Sequence, residues 1–282
     1  MTVKTRLAFV TAWIVLVLTA GYATPAGSES ADRRPTFTLA SGPSRHLALV
    51  KTDLSDHTFA IDCPVGQQDN GGAMCAPCED YEGCFTESAH MSYFFSLIVS
   101  MIRQYSANTY ESMPDVDTWQ FVPSGESGPE GCTDGNGDRA LYTDESYSYC
   151  PLDRIVYVGE QMMWHFYIDL GDAAPAVGIA HEWGHHLQNM VDLRISNQVE
   201  AIRQENQADC VAGAWSAWLV SEGIMVQDDF ADIDSLLIEI ASIEGSDRDH
   251  GTINERQESF LIGLEGGLSD CNDYFPDTPI VR

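Results

Sequence analysis

One helical segment, residues 173–191, constrains the fold of this chain most strongly, because it carries ionisable side chains in an otherwise apolar helix. From residue 178 it reads GIAHEWGHHLQNM. His181 and His185 are four residues apart, so on a helix they lie on one face, one turn above another, and can share a metal ion. Glu182 lies about 100° round the helix, too far to be a ligand but well placed to take a proton from an attacking water.

This H-E-x-x-H arrangement has a simpler alternative, in which the two histidines are core residues held by hydrogen bonds. The small residues Ala180 and Gly184 favour the metal, because they let another helix pack closely beside it. His186 lies off the shared face, and we interpret it as an ordinary packed or hydrated side chain.

A second helix, predicted over residues 198–221, supplies carboxylates. Glu205 and Asp209 are again one turn apart, in a stretch too apolar for a solvated face. A catalytic zinc takes three protein ligands and keeps one open position, and a carboxylate is common as the third. Glu205 has the longer reach, whereas Asp209 suits a hydrogen bond to the other nitrogen of a ligand histidine, which we expect to be His181.

Several motifs together resemble the neutral zinc metallopeptidase family of bacterial exported proteins. They occur in the order CPLDRIVYVG, AHEWGHHLQN, ENQADCVAGAW, HGTINERQESFLIG and CNDYF, within residues 85–282. The resemblance implies that His181, His185 and Glu205 are the zinc ligands and that Glu182 is the general base. The chain departs from the family at Trp183, where a small aliphatic residue is usual, and in its cysteine-rich amino-terminal region.

We therefore predict an α+β fold, a mostly helical zincin-like metallopeptidase domain with a small antiparallel or mixed sheet, held by disulfides. Its function would be hydrolysis of a peptide or protein substrate, with the substrate strand pairing against an edge strand such as residues 155–159. The competing hypothesis is a catalytically silent secreted binding protein whose zinc is structural. A structural site normally has a fourth protein ligand and no use for Glu182, which favours the enzyme.

Further elements follow from composition and periodicity. A buried helix is expected within residues 88–106 and strands at 117–122 and 154–158. Two more helices are expected at 232–243 and 252–265.

The net charge is −29, from 14 basic and 43 acidic residues. Nucleic acid is excluded as a natural partner, because binding phosphates needs clustered Lys and Arg. A large acidic excess is typical of proteins adapted to high salt, in which counter-ions screen the repulsion between carboxylates. The alternative is simply an acidic secreted protein.

Residues 1–23 have the pattern of a secretory signal. Lys4 and Arg6 precede an apolar stretch, Leu7 to Ala20, and cleavage is expected after Ala23. The stretch is shorter than the roughly 20 residues that span a bilayer, so we expect no stable membrane span beyond a possible uncleaved signal anchor. The chain would then be secreted or extracytoplasmic, with residues 24–84 as a tether and cysteine-rich segment before the domain at 85–282.

Export agrees with the eight cysteines, which are most simply four disulfides. We predict that Cys210 pairs with Cys271 and Cys132 with Cys150. The remaining four crowd together in the amino-terminal segment, where two local disulfides are favoured over a metal site; they are Cys63, Cys75, Cys78 and Cys84.

The segment 134–145, DGNGDRALYTDE, has some features of a calcium loop. Asp134, Asn136, Asp138 and Glu145 occupy positions 1, 3, 5 and 12, but Arg139 stands where such a loop requires glycine. The alternative is an acidic turn closed by a disulfide.

His250, in DHGTINERQ, is the candidate that we predict stabilises the oxyanion of the transition state. It precedes Gly251, which would let the backbone turn, just before a predicted helix. The alternatives are that His250 caps that helix or contacts a carboxylate, and that Arg256 or Tyr157 is the donor instead.

Overall fold

The computed structural model describes residues 84–133, 139–243, 248 and 250–282. The predictions for the signal, the tether and Cys63, Cys75 and Cys78 lie outside these residues. The helices are α1 (Met91–Thr109), α2 (Glu160–His165), α3 (Ala173–Met190), α4 (Gln198–Ser221), α5 (Asp229–Glu239) and α6 (Ile253–Gly266), with a π-helical turn at Phe166–Leu170 and 3₁₀ turns at Ser88–His90 and Asp270–Tyr274.

The strands form two small sheets. They are β1 (Thr118–Val122), β2 (Ser127–Thr133), β3 (Arg139–Thr143), β4 (Tyr147–Cys150) and β5 (Ile155–Gly159). One sheet has the order β1-β5-β4, with β1 parallel and β4 antiparallel to β5, and the other is the antiparallel pair β2 and β3. The predicted α+β fold with a small mixed sheet is confirmed.

The position of β5 contradicts one prediction. This strand pairs on both sides, with β1 and with β4. Its backbone groups are therefore already used within the sheet, and a substrate strand cannot pair with it. The prediction of an edge strand at Ile155–Gly159 was wrong, because strand composition does not show which strands will be neighbours.

Close helix contacts at three glycines bring the later helices together. A Cβ at Gly184 of α3 would lie 2.9 Å from Cα of Ala208 in α4. Where α4 meets α6, a Cβ at Gly213 would overlap the carbonyl of Phe260, and one at Gly263 would overlap the carbonyl of Cys210. Because glycine has no side chain, α4 packs directly against both neighbours.

Two disulfides join distant parts of the chain. Cys132 is bonded to Cys150 across the two sheets, and Cys210 of α4 is bonded to Cys271 in the last 3₁₀ turn. These are the two pairs expected from the sequence. Cys84 is also disulfide-bonded.

The core lies between α1, α3, α4 and the larger sheet. Trp183 is almost fully buried, with its ring centroid 5.9 Å from that of Tyr105 in α1, which fits the prediction that α1 is a buried helix. Among the described residues there is no helix with the length and apolar character needed to cross a membrane.

Candidate metal centre

Helix α3 carries the two histidines of the H-E-x-x-H motif on one buried face. His181 and His185 have ring centroids 4.8 Å apart, and their Nε2 atoms are 3.1 Å apart. Both rings therefore direct the same kind of nitrogen toward one point.

Helix α4 brings Glu205 to that point. Its Oε2 lies 3.2 Å from His181 Nε2, and its Oε1 lies 3.4 Å from His185 Nε2. Ligand atoms bound tetrahedrally to zinc, about 2.0–2.1 Å from the ion, lie roughly 3.3 Å from one another. The spacing of the three donor atoms therefore fits zinc, and these residues form a group that could hold a metal ion.

Asp209 lies one turn beyond Glu205 and supports His181 from behind. The Nδ1 of His181 is 2.8 Å from Asp209 Oδ1, which also accepts a hydrogen bond of 2.7 Å from the guanidinium of Arg256. Asp209 and Arg256 are both almost fully buried. The buried guanidinium compensates the charge of this buried carboxylate, and the same oxygen can accept a hydrogen bond from His181.

The histidines and carboxylates of this group shift one another's pKa values, each favouring the charged form of the other. Although burial lowers the pKa of His181, the carboxylates of Asp209 and Glu205 raise it to about 10. Burial raises the pKa of Glu205, but His185 and His181 outweigh it and hold that pKa well below its usual value. Positive charge is thus favoured where the donor atoms meet.

Glu182 lies beside this group without belonging to it. Burial raises the pKa of its carboxyl group, while His185 and His181 lower it. The backbone N–H of Tyr149 also lowers this pKa, so the carboxyl group lies next to strand β4. A half-buried carboxyl group with a raised pKa is suited to accepting a proton.

His250 reaches the rim of the group. Its Nε2 is 3.5 Å from Glu205 Oε2, and 40% of its side chain is exposed. Thr252, the first residue before α6, forms a capping box with Glu255, which sets where this helix begins. Gly251 does not have a positive φ; a Cβ there would overlap Oδ1 of Asn206, so glycine allows the chain to approach α4 closely.

The two alternative donors are not available to a substrate. Arg256 is fully buried against Asp209, and Tyr157 is buried beneath Tyr142, whose ring stacks on it at 3.8 Å. His186 is a packed core residue, as interpreted from the sequence: its ring nitrogens lie 3.1 Å from the Tyr149 hydroxyl and 2.8 Å from the Pro114 carbonyl.

The calcium prediction finds no support. Asp134, Asn136 and Asp138 lie outside the described residues. Arg139–Thr143 form an extended strand paired with β2, and Glu145 is exposed in the turn that follows it. A strand does not suit a loop that must fold around an ion.

Two buried glutamines were missed by the sequence analysis. Gln188 Oε1 lies 2.8 Å from His185 Nδ1, and Gln188 Nε2 lies 3.1 Å from Gln207 Oε1. Both residues are fully buried. The available signal was an uncharged polar residue three positions after His185 and another two positions after Glu205, at positions 188 and 207.

An H-E-x-x-H helix packed against a second helix that supplies a glutamate defines a candidate metal centre of the kind that metallopeptidases use. Residues 143–275 match the model of the family described as "Putative neutral zinc metallopeptidase". The resemblance drawn from the motifs is thereby confirmed over these residues, which include α3, α4 and α6.

The chain is also similar to two bacterial proteins. "Uncharacterized protein YpfJ" of Escherichia coli strain K12 is 29% identical over 284 residues, covering 85% of this chain and 90% of that protein. "Uncharacterized protein Mb2605" of Mycobacterium bovis is 28% identical over 172 residues, covering 50% of this chain and 59% of that protein. No solved structure matches the chain.

Proposed function

We propose that this protein is an exported zinc-dependent peptidase. The observation that carries the proposal is the meeting of three donor atoms from two helices, with Glu182 directly beside them. The family match supports the metal and the class of reaction.

His181, His185 and Glu205 would hold the zinc ion. The three donors are two imidazoles and one carboxylate, a set that zinc accepts readily in catalytic sites. Zinc in this position would lower the pKa of a water molecule toward about 7 and polarise the carbonyl of a peptide bond.

Glu182 would act as the general base. Its carboxylate takes a proton from the attacking water and delivers it to the leaving amine. His250, exposed at the rim beside Glu205, would donate a hydrogen bond to the carbonyl oxygen as negative charge develops there.

The substrate strand would pair with the outer edge of β4. The hydrogen bond from the Gly159 N–H to the Ser146 carbonyl fixes the alternation along β4: the backbone groups of its even-numbered residues face β5. In an antiparallel pair the backbone groups alternate, so those of Tyr147 and Tyr149 point away from β5. The Tyr149 N–H is already bonded to Glu182, so an extended peptide would bond to the backbone of Tyr147 and to the Tyr149 carbonyl.

Replacing Glu182 with Gln tests the proposal. Glu182→Gln should still bind about one zinc ion per chain but lose hydrolysis of a peptide library, because the change removes a base and no ligand. The matched control is Glu265→Gln, at an exposed glutamate of α6, which should keep the chelator-sensitive activity. Full activity of Glu182→Gln would overturn the mechanism, and absence of chelator-sensitive activity in the wild type would favour a binding protein with a structural metal.

A further inference from the structure

A line of buried hydrogen bonds leads from His185 to the carboxyl-terminal segment of the chain. His185 Nδ1 is 2.8 Å from Gln188 Oε1, and Gln188 Nε2 is 3.1 Å from Gln207 Oε1. Gln207 Nε2 is in turn 2.9 Å from the carbonyl oxygen of Cys271. We call His185, Gln188, Gln207 and Cys271 the amide relay.

The direction of the relay is determined at its far end. The Cys271 carbonyl can only accept a hydrogen bond, so the Gln207 amide must turn its NH₂ group toward it. The Gln207 oxygen then faces Gln188 and accepts from the NH₂ group of that residue. The same NH₂ group donates a second bond, of 2.7 Å, to the carbonyl oxygen of Gln204.

With both donors of Gln188 engaged, only its oxygen remains to face His185. An amide oxygen accepts and never donates, so the Nδ1 of His185 must carry a proton. In the neutral ring Nε2 is then unprotonated, and its lone pair points to His181 Nε2 and Glu205. A flipped Gln188 amide would instead place its oxygen against the Gln204 carbonyl, which is repulsive.

We propose that Gln188 and Gln207 are positioning residues, which hold His185 in the one tautomer and orientation that can bind the metal. The inference rests on the proposed zinc site for its functional consequence, but the tautomer itself follows from the hydrogen bonds alone. His181 is held differently, through the carboxylate of Asp209.

The far end of the relay is itself anchored. Cys271 is fully buried, and its disulfide to Cys210 attaches it to α4 one residue beyond Asp209. Asp209, which contacts His181, and Cys210, which anchors the far end of the amide relay from His185, are therefore adjacent residues of α4. A place in the relay explains why Gln207, an uncharged polar residue that contacts none of the candidate metal ligands, is buried between the helices.

The test replaces Gln207, which contacts no ligand. Gln207→Met keeps the approximate size of the side chain but removes both of its relay bonds, so the Gln188 amide is free to turn. We expect the zinc affinity of the full chain, measured by competition with a chelator, to fall by about 10 to 100-fold, as when other supports of ligand histidines are lost. Gln104→Met, at a half-buried glutamine of α1, is the matched control and should bind zinc as the wild type does.

A spectroscopic measurement on the wild type makes the test independent of any variant. Nitrogen-15 spectra of histidine side chains should show a proton on His185 Nδ1, protected from exchange, with and without zinc. Gln207→Met should expose this proton to faster exchange. Thermal unfolding of the metal-free variant separates a loss of folding from a loss of affinity.

Two outcomes would overturn the relay: an unprotonated His185 Nδ1 in the wild type, or unchanged zinc affinity and unchanged proton exchange in Gln207→Met. If the wild type binds no zinc while the protected proton is present, the proposed function fails and the relay stands.

Discussion

Asp209 shows how one buried side chain can serve two neighbours. It accepts hydrogen bonds from His181 at 2.8 Å and from Arg256 at 2.7 Å. The guanidinium compensates the carboxylate charge inside the protein, where an unpaired charge would be costly. We therefore propose that Asp209 orients His181, while Glu205 would complete the ligand set.

Removing the two carboxylates one at a time should separate these roles. We expect Glu205→Ala to lose zinc outright, because a ligand is missing. Asp209→Ala should weaken zinc binding by about 10 to 100-fold, because His181 loses its orienting partner. Metal content after dialysis and chelator competition measure both effects, and the reverse ranking would show that the roles are exchanged.

His250 should affect the rate of the reaction and not the binding of metal or substrate. We expect His250→Ala to lower kcat by about 100-fold with zinc content and KM little changed, since the donor acts mainly in the transition state. His90→Ala, at a histidine outside the ligand group, is the control and should leave kcat unchanged. A normal kcat in His250→Ala, or loss of its zinc, would remove His250 from the mechanism.

At the scale of elements, a histidine joins the end of α2 to α5. His165 Nδ1 lies 2.7 Å from Asp169 in the π-helical turn, and its Nε2 lies 2.6 Å from Glu239 at the end of α5. Hydrogen bonds to Glu239 and Asp169 raise the pKa of His165 above its usual value. Protonated His165 therefore connects two segments that flank the helix of the metal site.

This connection makes part of the stability depend on pH. A group whose pKa is raised by folding stabilises fully below its unfolded pKa of about 6.5, and the contribution disappears as pH rises through the folded value. We expect the difference in unfolding free energy between wild type and His165→Gln to be largest in mildly acidic solution and to shrink above neutrality. The effect should be small, because the His165 side chain is 42% exposed and solvent screens it.

Urea unfolding at a series of pH values measures this difference. His90→Gln, at a histidine for which no such pair of carboxylates is present among the described contacts, should follow the wild type throughout. A difference that grows with rising pH would contradict the assignment.

Some elements could be predicted from the sequence and others could not. Helices α3, α4 and α6 were expected within a few residues of their observed bounds, because their composition is local; α4 and α6 also begin after capping residues, Asn197 and Thr252. Strands β2, β3 and β4 were not predicted. The β2 sequence contains Gly and Pro in place of a clear alternation, β3 and β4 are only five and four residues long, and pairing and the Cys132–Cys150 disulfide hold these strands in place.

At the scale of the whole molecule, the charge of −29 opposes compaction. Repulsion between carboxylates acts over about 10 Å in 0.1 M salt but only about 3 Å in 1 M salt. We propose that the chain is adapted to high salt. The midpoint of urea unfolding should then increase as KCl is raised across this range.

Sucrose serves as the control, because it stabilises folded proteins without screening charge. A midpoint that rises with sucrose but not with KCl would show that carboxylate repulsion does not limit the stability of this protein.

Local information in the chain was enough to identify α1, α3, α4, α5 and α6, though not the short α2, and the H-E-x-x-H face, since residues four apart on one helix must be neighbours. It also carried the family resemblance. The distances from Glu205 to the two histidines, the pairing of β5 on both sides and the relay through Gln188 and Gln207 needed the folded molecule. Each of these contacts joins residues of different helices or strands. Whether such residues meet depends on how the elements pack against one another. Packing is set by close contacts such as that of Gly184 with Ala208, and not by the spacing of residues within any one element.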